Sequence, residues 1–313
     1  MSPPVSENFF AERTEKWQAV LARAEKKLAR SSVTRLLVFF GTAAGVVLLA
    51  TQSAPVLLVI ITGLAGALGF AWLVKQHNRL TLHKKICEQM VAINQDEQGR
   101  YRGEQGRGPG GNEYLEPKHA YALDLDVFGE FSLFKMLDRC ATVSGRKALA
   151  HWLVKPAGLQ EIQQRQQAVT ELAPLIDWRQ ELQANGKVFD HPDASTRMLL
   201  NWLDSPDPLG KNRRNYQAAN YFMPLLALAG VVFYLMHGNN LLYALPLGVV
   251  LLVNMQIIKR LNSAAEDVLF NTYYNVGLLK SFRGMIALLE PQQFNSPLLQ
   301  QLQAKFRHKD FVA

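Results

Sequence analysis

Residues 55–74, PVLLVIITGLAGALGFAWLV, decide the fold: twenty apolar or small residues run without one ionisable side chain. A helix of about 20 such residues spans the hydrocarbon core of a bilayer. A matching stretch, Leu36–Thr51, precedes it across the short connector Gln52-Ser53-Ala54. Two further apolar stretches, Ala218–Met236 and Leu241–Ile258, are joined by His237-Gly238-Asn239-Asn240. The sequence therefore predicts four transmembrane helices arranged as two hairpins.

Charge orients them. Neither connector holds Lys or Arg, while the opposite ends are basic. Arg23, Lys26, Lys27, Arg30 and Arg35 precede the first stretch, and Lys75, Arg79, Lys84 and Lys85 follow the second. Lys211, Arg213 and Arg214 precede the third, and Lys259 and Arg260 follow the fourth. Basic flanks stay on the cytoplasmic side. Both termini and the region from Lys75 to Arg214 are thus expected in the cytoplasm, with the chain multi-pass in the inner (cytoplasmic) membrane. Buried core helices of a soluble protein are the competing reading, but they need no matched basic collar. Gly41 and Gly45, and Gly63 and Ala67, are spaced for close helix approach, or reflect ordinary glycine use in membrane helices. A charged helix precedes the first stretch, which argues against a secretory signal.

The 313-residue chain carries a net charge of +8, and its mean hydropathy is near zero, −0.03. Nucleic acid and anionic lipid both suit a basic chain, but much of the excess lies at the edges of the spans. Cys87 and Cys140 lack metal-ligand spacing and read as packed thiols in a reducing compartment. The spans hold no Asp, Glu, Lys or Arg to mark a transport pathway. No HExxH, GxSxG or GxxxxGK[ST] occurs, so this chain itself is expected not to be an enzyme.

Helical spacing covers Phe10–Arg30 and continues after Val74 through Met90 and Ile93. Gly99–Gly111, GRYRGEQGRGPGG, reads as a flexible loop. From Phe131 to Asn185 the pattern is helical again: Ser132 opens a segment, Thr142–Gly145 breaks it, and Pro156 ends the stripe Ala148, Leu149, Trp152, Leu153. Trp152 and Leu153 are expected in the core. Ile162, Val169, Leu172 and Ile176 mark one Gln-rich helix stopped by Asn185-Gly186. A short helix over Asp193–Leu203 ends at Ser205–Pro208, and Ile258–Leu289 forms a long helix up to Pro291. No strand alternation is visible, so the fold class is all-α. The predicted parts are an amphipathic cytoplasmic helix (1–32), a first hairpin (33–75), a helix and Gly-rich loop (76–118), core helices (119–214), a second hairpin (215–259) and a long helix with a C-terminal segment (260–313).

One series of motifs is more specific. His119-Ala120-Tyr121-Ala122-Leu123-Asp124-Leu125-Asp126-Val127-Phe128-Gly129 is followed by Ser132-Leu133-Phe134, by Leu137-Asp138-Arg139 and by Thr142-Val143-Ser144-Gly145-Arg146. Then come Trp152-Leu153-Val154-Lys155-Pro156 and Arg165-Gln166-Gln167-Ala168-Val169-Thr170-Glu171-Leu172. In order and spacing these resemble the core-domain entry of MutS-family mismatch-repair proteins, and more closely a membrane-anchored bacterial subgroup. The resemblance rests on Asp124, Asp126, Phe128, Gly129, Ser132, Leu133, Phe134, Arg139, Gly145, Trp152, Leu153, Pro156, Arg165, Gln166, Glu171 and Leu172. It makes 119–214 a MutS-like core and 260–313 a lever-like segment.

Read as residues, these positions are structural. Ser144 is placed to cap a helix and Gly145 to permit a tight turn. Arg139 and Arg165 pair with Asp138, Glu161 or Glu171, or face solvent. Asp124 and Asp126 suit helix capping or salt bridges better than acid–base work. Asp190, His191 and Asp193 suit a turn better than a metal site. Phe10-Ala11-Glu12 matches the family's mismatch wedge by coincidence, since no mismatch-reading domain surrounds it. The resemblance implies a scaffold whose lever helices couple a DNA clamp to an ATPase. It implies ATP and Mg for an ATPase domain expected beyond Ala313, DNA as a partner, and a homodimer formed through that domain. The second hairpin, between the lever-like helices, is expected to replace the clamp. The expected function is a membrane-anchored MutS-like core/lever scaffold, the front part of an ATP-dependent DNA-binding protein of the DNA-repair type. The alternative is a structural membrane scaffold for protein partners that binds no nucleic acid.

Overall fold

A computed structural model describes residues 6–188, 213–237 and 241–307. The expected helix Asp193–Leu203, its break at 205–208 and the cluster Asp190, His191 and Asp193 lie outside the described residues. Every regular element described is helical: α1 (Glu7–Thr51), α2 (Val56–Tyr101), a 3-10 turn (Asn112–Tyr114), α3 (Leu133–Leu137), α4 (Val143–Val154), α5 (Leu159–Leu172), α6 (Ile176–Lys187), α7 (Arg213–His237), α8 (Leu241–Leu289) and α9 (Pro297–Arg307). The chain divides into two compact units. One gathers residues 1–29, 78–195 and 276–313; the other gathers 30–77 and 196–275.

In the second unit, α1 and α2 form a tight hairpin. Ala54 N–H closes the turn on Leu49 O at 3.0 Å, and Ser53 adopts a left-handed φ of 55°. Pro55 stands before the first turn of α2, where its missing N–H costs nothing, and its carbonyl accepts from Leu58 N–H at 2.8 Å. The tightest approach is at Gly66, where a Cβ would overlap the Thr42 side chain. Gly45 and Gly63 make only ordinary contacts, with Thr62 and Val46, and Gly41 faces open space. The small-residue spacing thus named the right helices but missed the critical glycine. Phe39 and Phe70 stack across the pair, centroids 6.0 Å apart.

Both α1 and α2 are long and apolar enough to cross a membrane, and none of either apolar stretch is buried in protein. Leu37, Phe40, Leu57, Leu68 and Trp72 are all more than half exposed. That exposure disfavours the core-helix reading for this pair. In α7 and α8 the apolar runs are shorter, Tyr221–Tyr234 and Leu245–Gln256. Expectation and structure therefore agree on length for two spans rather than four. α7 and α8 still pack closely, since a Cβ on Gly230 would sit 3.4 Å from the Leu247 backbone.

In the first unit, α1 and α2 pair antiparallel: Glu7 meets Arg102 at 2.6 Å, Phe10 stacks near Tyr101, and Glu25 meets Lys84 at 3.2 Å. α6 packs on both through Ala184, which lies with Met90 and Ile93 in one apolar cluster. At the centre, fully buried Asn94 accepts from Gln180 Nε2 at 3.0 Å and donates to Met90 O at 2.7 Å. Arg13 closes the network onto Gln180 at 2.8 Å and Asp177 at 2.6 Å. Buried polar groups must be partnered, and here each helix supplies the other's partner.

A second cluster holds Ala122, Val127, Phe128, Phe134 and Ala150. Gly111 has φ 74°, and a Cβ there would lie 2.8 Å from the Phe134 ring. Gly110 approaches the Gly129 backbone too closely for any side chain and accepts its N–H at 2.9 Å. The Gly-rich stretch is therefore not the free loop expected: its first residues finish α2 and its last glycines are packed against the core. The one Gln-rich helix expected is two, α5 and α6, broken at Ala173-Pro174-Leu175. Gly186 lies inside α6 rather than stopping it, packed on Ala141 and on Met285 of α8. Ser281 ties α8 down by donating to Asn185 O at 2.7 Å. Glu171 caps α9, accepting from Asn295 and Ser296 N–H at 2.6 and 2.7 Å.

Gly66→Leu should lower the thermal midpoint of the detergent-solubilised chain through an overpacking cost of about 1–3 kcal/mol. Gly69→Leu, on the same helix but with nothing within 4 Å, should leave it unchanged. Equal shifts would refute the packing described.

Candidate functional site

The motif segment closes around a buried charge junction. Arg100 stands in the last turn of α2, with its side chain 8% exposed, and holds Asp96 one turn back at 3.0 Å. Its other donors reach the end of α3. They bond Lys135 O at 3.0 Å, Met136 O, and Asp138 O at 3.0 Å. The last carbonyls of a helix have no partner within it, and the negative end of the helix dipole favours a cation there. A planar guanidinium with five donors meets that need better than an ammonium.

Asp138 carries the junction forward. Its side chain, 3% exposed, accepts from Cys140 N–H at 2.8 Å and pairs with Arg146 at 3.3 Å. Arg146 lies in the first turns of α4. Arg139 turns the other way and grips Glu97 with two bonds, 2.6 and 2.8 Å. Arg107 N–H takes the free oxygen of Asp96 at 2.9 Å, fixing the Gly-rich segment on α2. Lys187, at the end of α6, completes the lining of a cavity of about 420 Å³. Burial pushes its ammonium pKa down, against the pull of Asp138 and Asp96. Burial also pushes the Cys140 thiol up to about 12, with the Asp138 charge adding to it.

The sequence-predicted positions fall in several places. Ser132 caps α3, its hydroxyl accepting from Lys135 N–H at 3.2 Å, and Phe134 is wholly buried beside Phe128. Leu133 is half exposed, with its N–H on Asp126 O at 3.1 Å. Gly129 has φ 128°, a value that favours glycine. Asp124 and Asp126 are exposed, and neither side chain caps a helix or forms an ion pair among the described residues. Asp126 instead supplies a left-handed turn at φ 46°.

Gly145 is not the turn residue expected. It lies inside α4, which Thr142 caps by accepting the Gly145 N–H at 3.1 Å, so Ser144 is not the cap. Trp152 is not core either: it is 52% exposed, with the Arg165 guanidinium 4.0 Å above its ring. Leu153 is half-buried against the core cluster, and Pro156 follows the end of α4. Arg165 also pairs with Glu161. Gln166 is exposed and accepts from Thr170 through its backbone, while Glu171 and Leu172 end α5. Asp96, Glu97, Arg100, Arg107 and Lys187 escaped sequence reading. The i, i+4 spacing of Asp96 and Arg100 was the available signal; their long-range partners left none.

Because Asp138 raises the Cys140 pKa, Asp138→Asn should increase the thiolate fraction. In a Cys87→Ser background, iodoacetamide alkylation of Cys140 at mildly alkaline pH should speed up several-fold, followed by mass spectrometry. An unchanged rate would show that the Asp138 charge does not act on this thiol.

Comparison with known proteins bears on the same region. A family model, MutS domain III, matches residues 120–201. A DNA mismatch repair protein MutS of Acaryochloris marina (strain MBIC 11017) is 44% identical over 88 residues, covering 25% of this chain and 10% of that protein. The chain thus spans about a tenth of the length of this relative. No solved structure matches. Both findings point to one family, and they agree with the motifs laid around the charge junction: residues 120–201 are similar to domain III of the MutS mismatch-repair proteins.

Proposed function

We propose that this chain is a membrane-anchored MutS-like scaffold, in which domain III is joined to lipid by its own long helices. One observation carries the reading. α2 is a single helix from Val56 to Tyr101, with an unburied apolar stretch at its start and the Asp96–Arg100 pair at its end. The element that anchors is the element that organises the motif segment. The basic flanks support a cytoplasmic side for the unit that holds the MutS-like segment, and in this reading the second hairpin replaces the family's DNA clamp.

In this reading the whole protein binds DNA in an ATP-dependent manner and pairs with a second copy, as the family relationship suggests. ATP and Mg need a strand, a Gly-rich loop with its lysine and a helix, together with carboxylates at the metal. The described residues hold no strand and no group of three metal-ligating side chains. These residues do not fit that group. A scaffold for protein partners without nucleic acid is the second reading. Exposed Leu123, Leu125 and Phe131 favour it, since large apolar side chains on one loop suit a protein surface.

Alkaline carbonate extraction tests the anchor: the chain should remain in the membrane pellet, and recovery in the supernatant would overturn the proposal. Duplex DNA binding by the detergent-solubilised chain separates the two readings. The leading one predicts binding that weakens steeply between low and physiological salt, as phosphate contacts require. Absence of binding at low salt would favour the protein scaffold.

A further inference from the structure

The cavity beside the charge junction is a candidate anion site. Its wall holds Asp96, Arg107, Asp138, Val143, Arg146 and Lys187, with Arg100 behind them. Four cations thus face two carboxylates. Both carboxylates are already engaged: Asp96 by Arg100 and Arg107 N–H, Asp138 by Cys140 N–H and Arg146. Arg100 is fully used on Asp96 and the α3 carbonyls. With Arg146 facing Asp138, the positive surplus rests on Arg107 and Lys187.

Three observations say that donors in this wall are not fully satisfied by the protein. The Arg146 Nε–H lies 3.3 Å from Asp138 Oδ2, close enough for an ion pair, yet it is buried and makes no hydrogen bond among the described residues. The Lys187 ammonium, lining the same cavity, has no carboxylate or carbonyl bonded to it among the described residues. Val143 opens α4 in this wall, and the first N–H groups of a helix have no internal acceptor. The Thr142 hydroxyl takes only the Gly145 N–H. Burial lowers the Lys187 pKa, and the nearby charges of Asp138 and Asp96 only partly oppose it.

We propose that this cleft binds a phosphate-type dianion, inorganic phosphate or a terminal phosphomonoester, between Arg107, Arg146, Lys187 and the start of α4. A tetrahedral anion presents acceptors in several directions, which matches donors arriving from the Gly-rich segment, α4 and α6. Filling the site would neutralise the surplus and join those three elements around one ligand. Nothing in this inference depends on the membrane reading.

The test uses the full chain in detergent at constant ionic strength, with inorganic phosphate as the first probe and glycerol 3-phosphate as the second. Binding is read by phosphorus NMR line broadening. Broadening is expected for inorganic phosphate, with affinity at least about tenfold weaker in Lys187→Met and Arg107→Gln, the loss of one charge-assisted bond. Arg102→Gln, removing a cation whose partner is Glu7, should bind as the parent does. Broadening by the ester as well would extend the site to phosphomonoesters; broadening by phosphate alone would confine it to the free ion. A second readout needs no variant. A bound dianion favours the ammonium form, so phosphate should slow acylation of Lys187 while leaving exposed Lys16 unaffected. No broadening by either probe, or phosphate protection equal at Lys187 and Lys16, would overturn the proposal.

Discussion

A single guanidinium decides where this chain turns. Arg100 ends the long helix α2 and, held by Asp96, takes the carbonyls that close α3. Without it, three carbonyls would lose a donor together and Asp96 would keep only the Arg107 N–H. Breaking a buried pair by removing one member costs about 3–5 kcal/mol, because the charge left behind is uncompensated. Exposed pairs are worth about 0–1 kcal/mol. By that measure Arg165–Glu161, Lys84–Glu25 and Arg102–Glu7 decorate the surface, while Arg100–Asp96 and Asp138–Arg146 determine its course. The D in the L-D-R motif is accordingly structural: Asp138 orients the start of α4 through Cys140 and Arg146.

The same logic holds one layer deeper. Asn94, Gln180 and Arg13 join α2, α6 and α1 through a polar network whose members satisfy one another. An apolar seam tolerates sliding; a buried amide pair does not, because a shift leaves both groups unpaired. The network sets the register of the pair, and the apolar cluster of Met90, Ile93 and Ala184 supplies the burial around it.

Much of this was legible in the sequence where the signal is local. Ser132 and Pro156 mark helix ends by chemistry they carry themselves. The continuation of α2 past Val74 followed from unbroken helical spacing. Other features were not local. Thr142 and Ser144 are both good caps, and only the backbone geometry selects Thr142. Trp152 lies on an apolar stripe, yet its outer face is covered by a cation from α5 rather than by the core. Gly186 resembles a helix stop, but it is a close-approach site for Ala141 and Met285. Pro174 was visible and marks the α5–α6 break. Lys187 and Asp96 enter one cavity from positions 91 residues apart in the chain, a relation no spacing rule reports.

The central claim is that the planar fork of Arg100, not merely its charge, organises the segment that resembles MutS domain III. Unfolding free energies of Arg100→Lys and Arg102→Lys, measured by denaturant titration in one detergent, test it most directly. A lysine at position 100 keeps the charge but cannot serve Asp96 and three carbonyls at once. The account predicts a loss of about 2–4 kcal/mol at position 100 and under about 0.5 kcal/mol at position 102. Equal, small losses at both positions would contradict it.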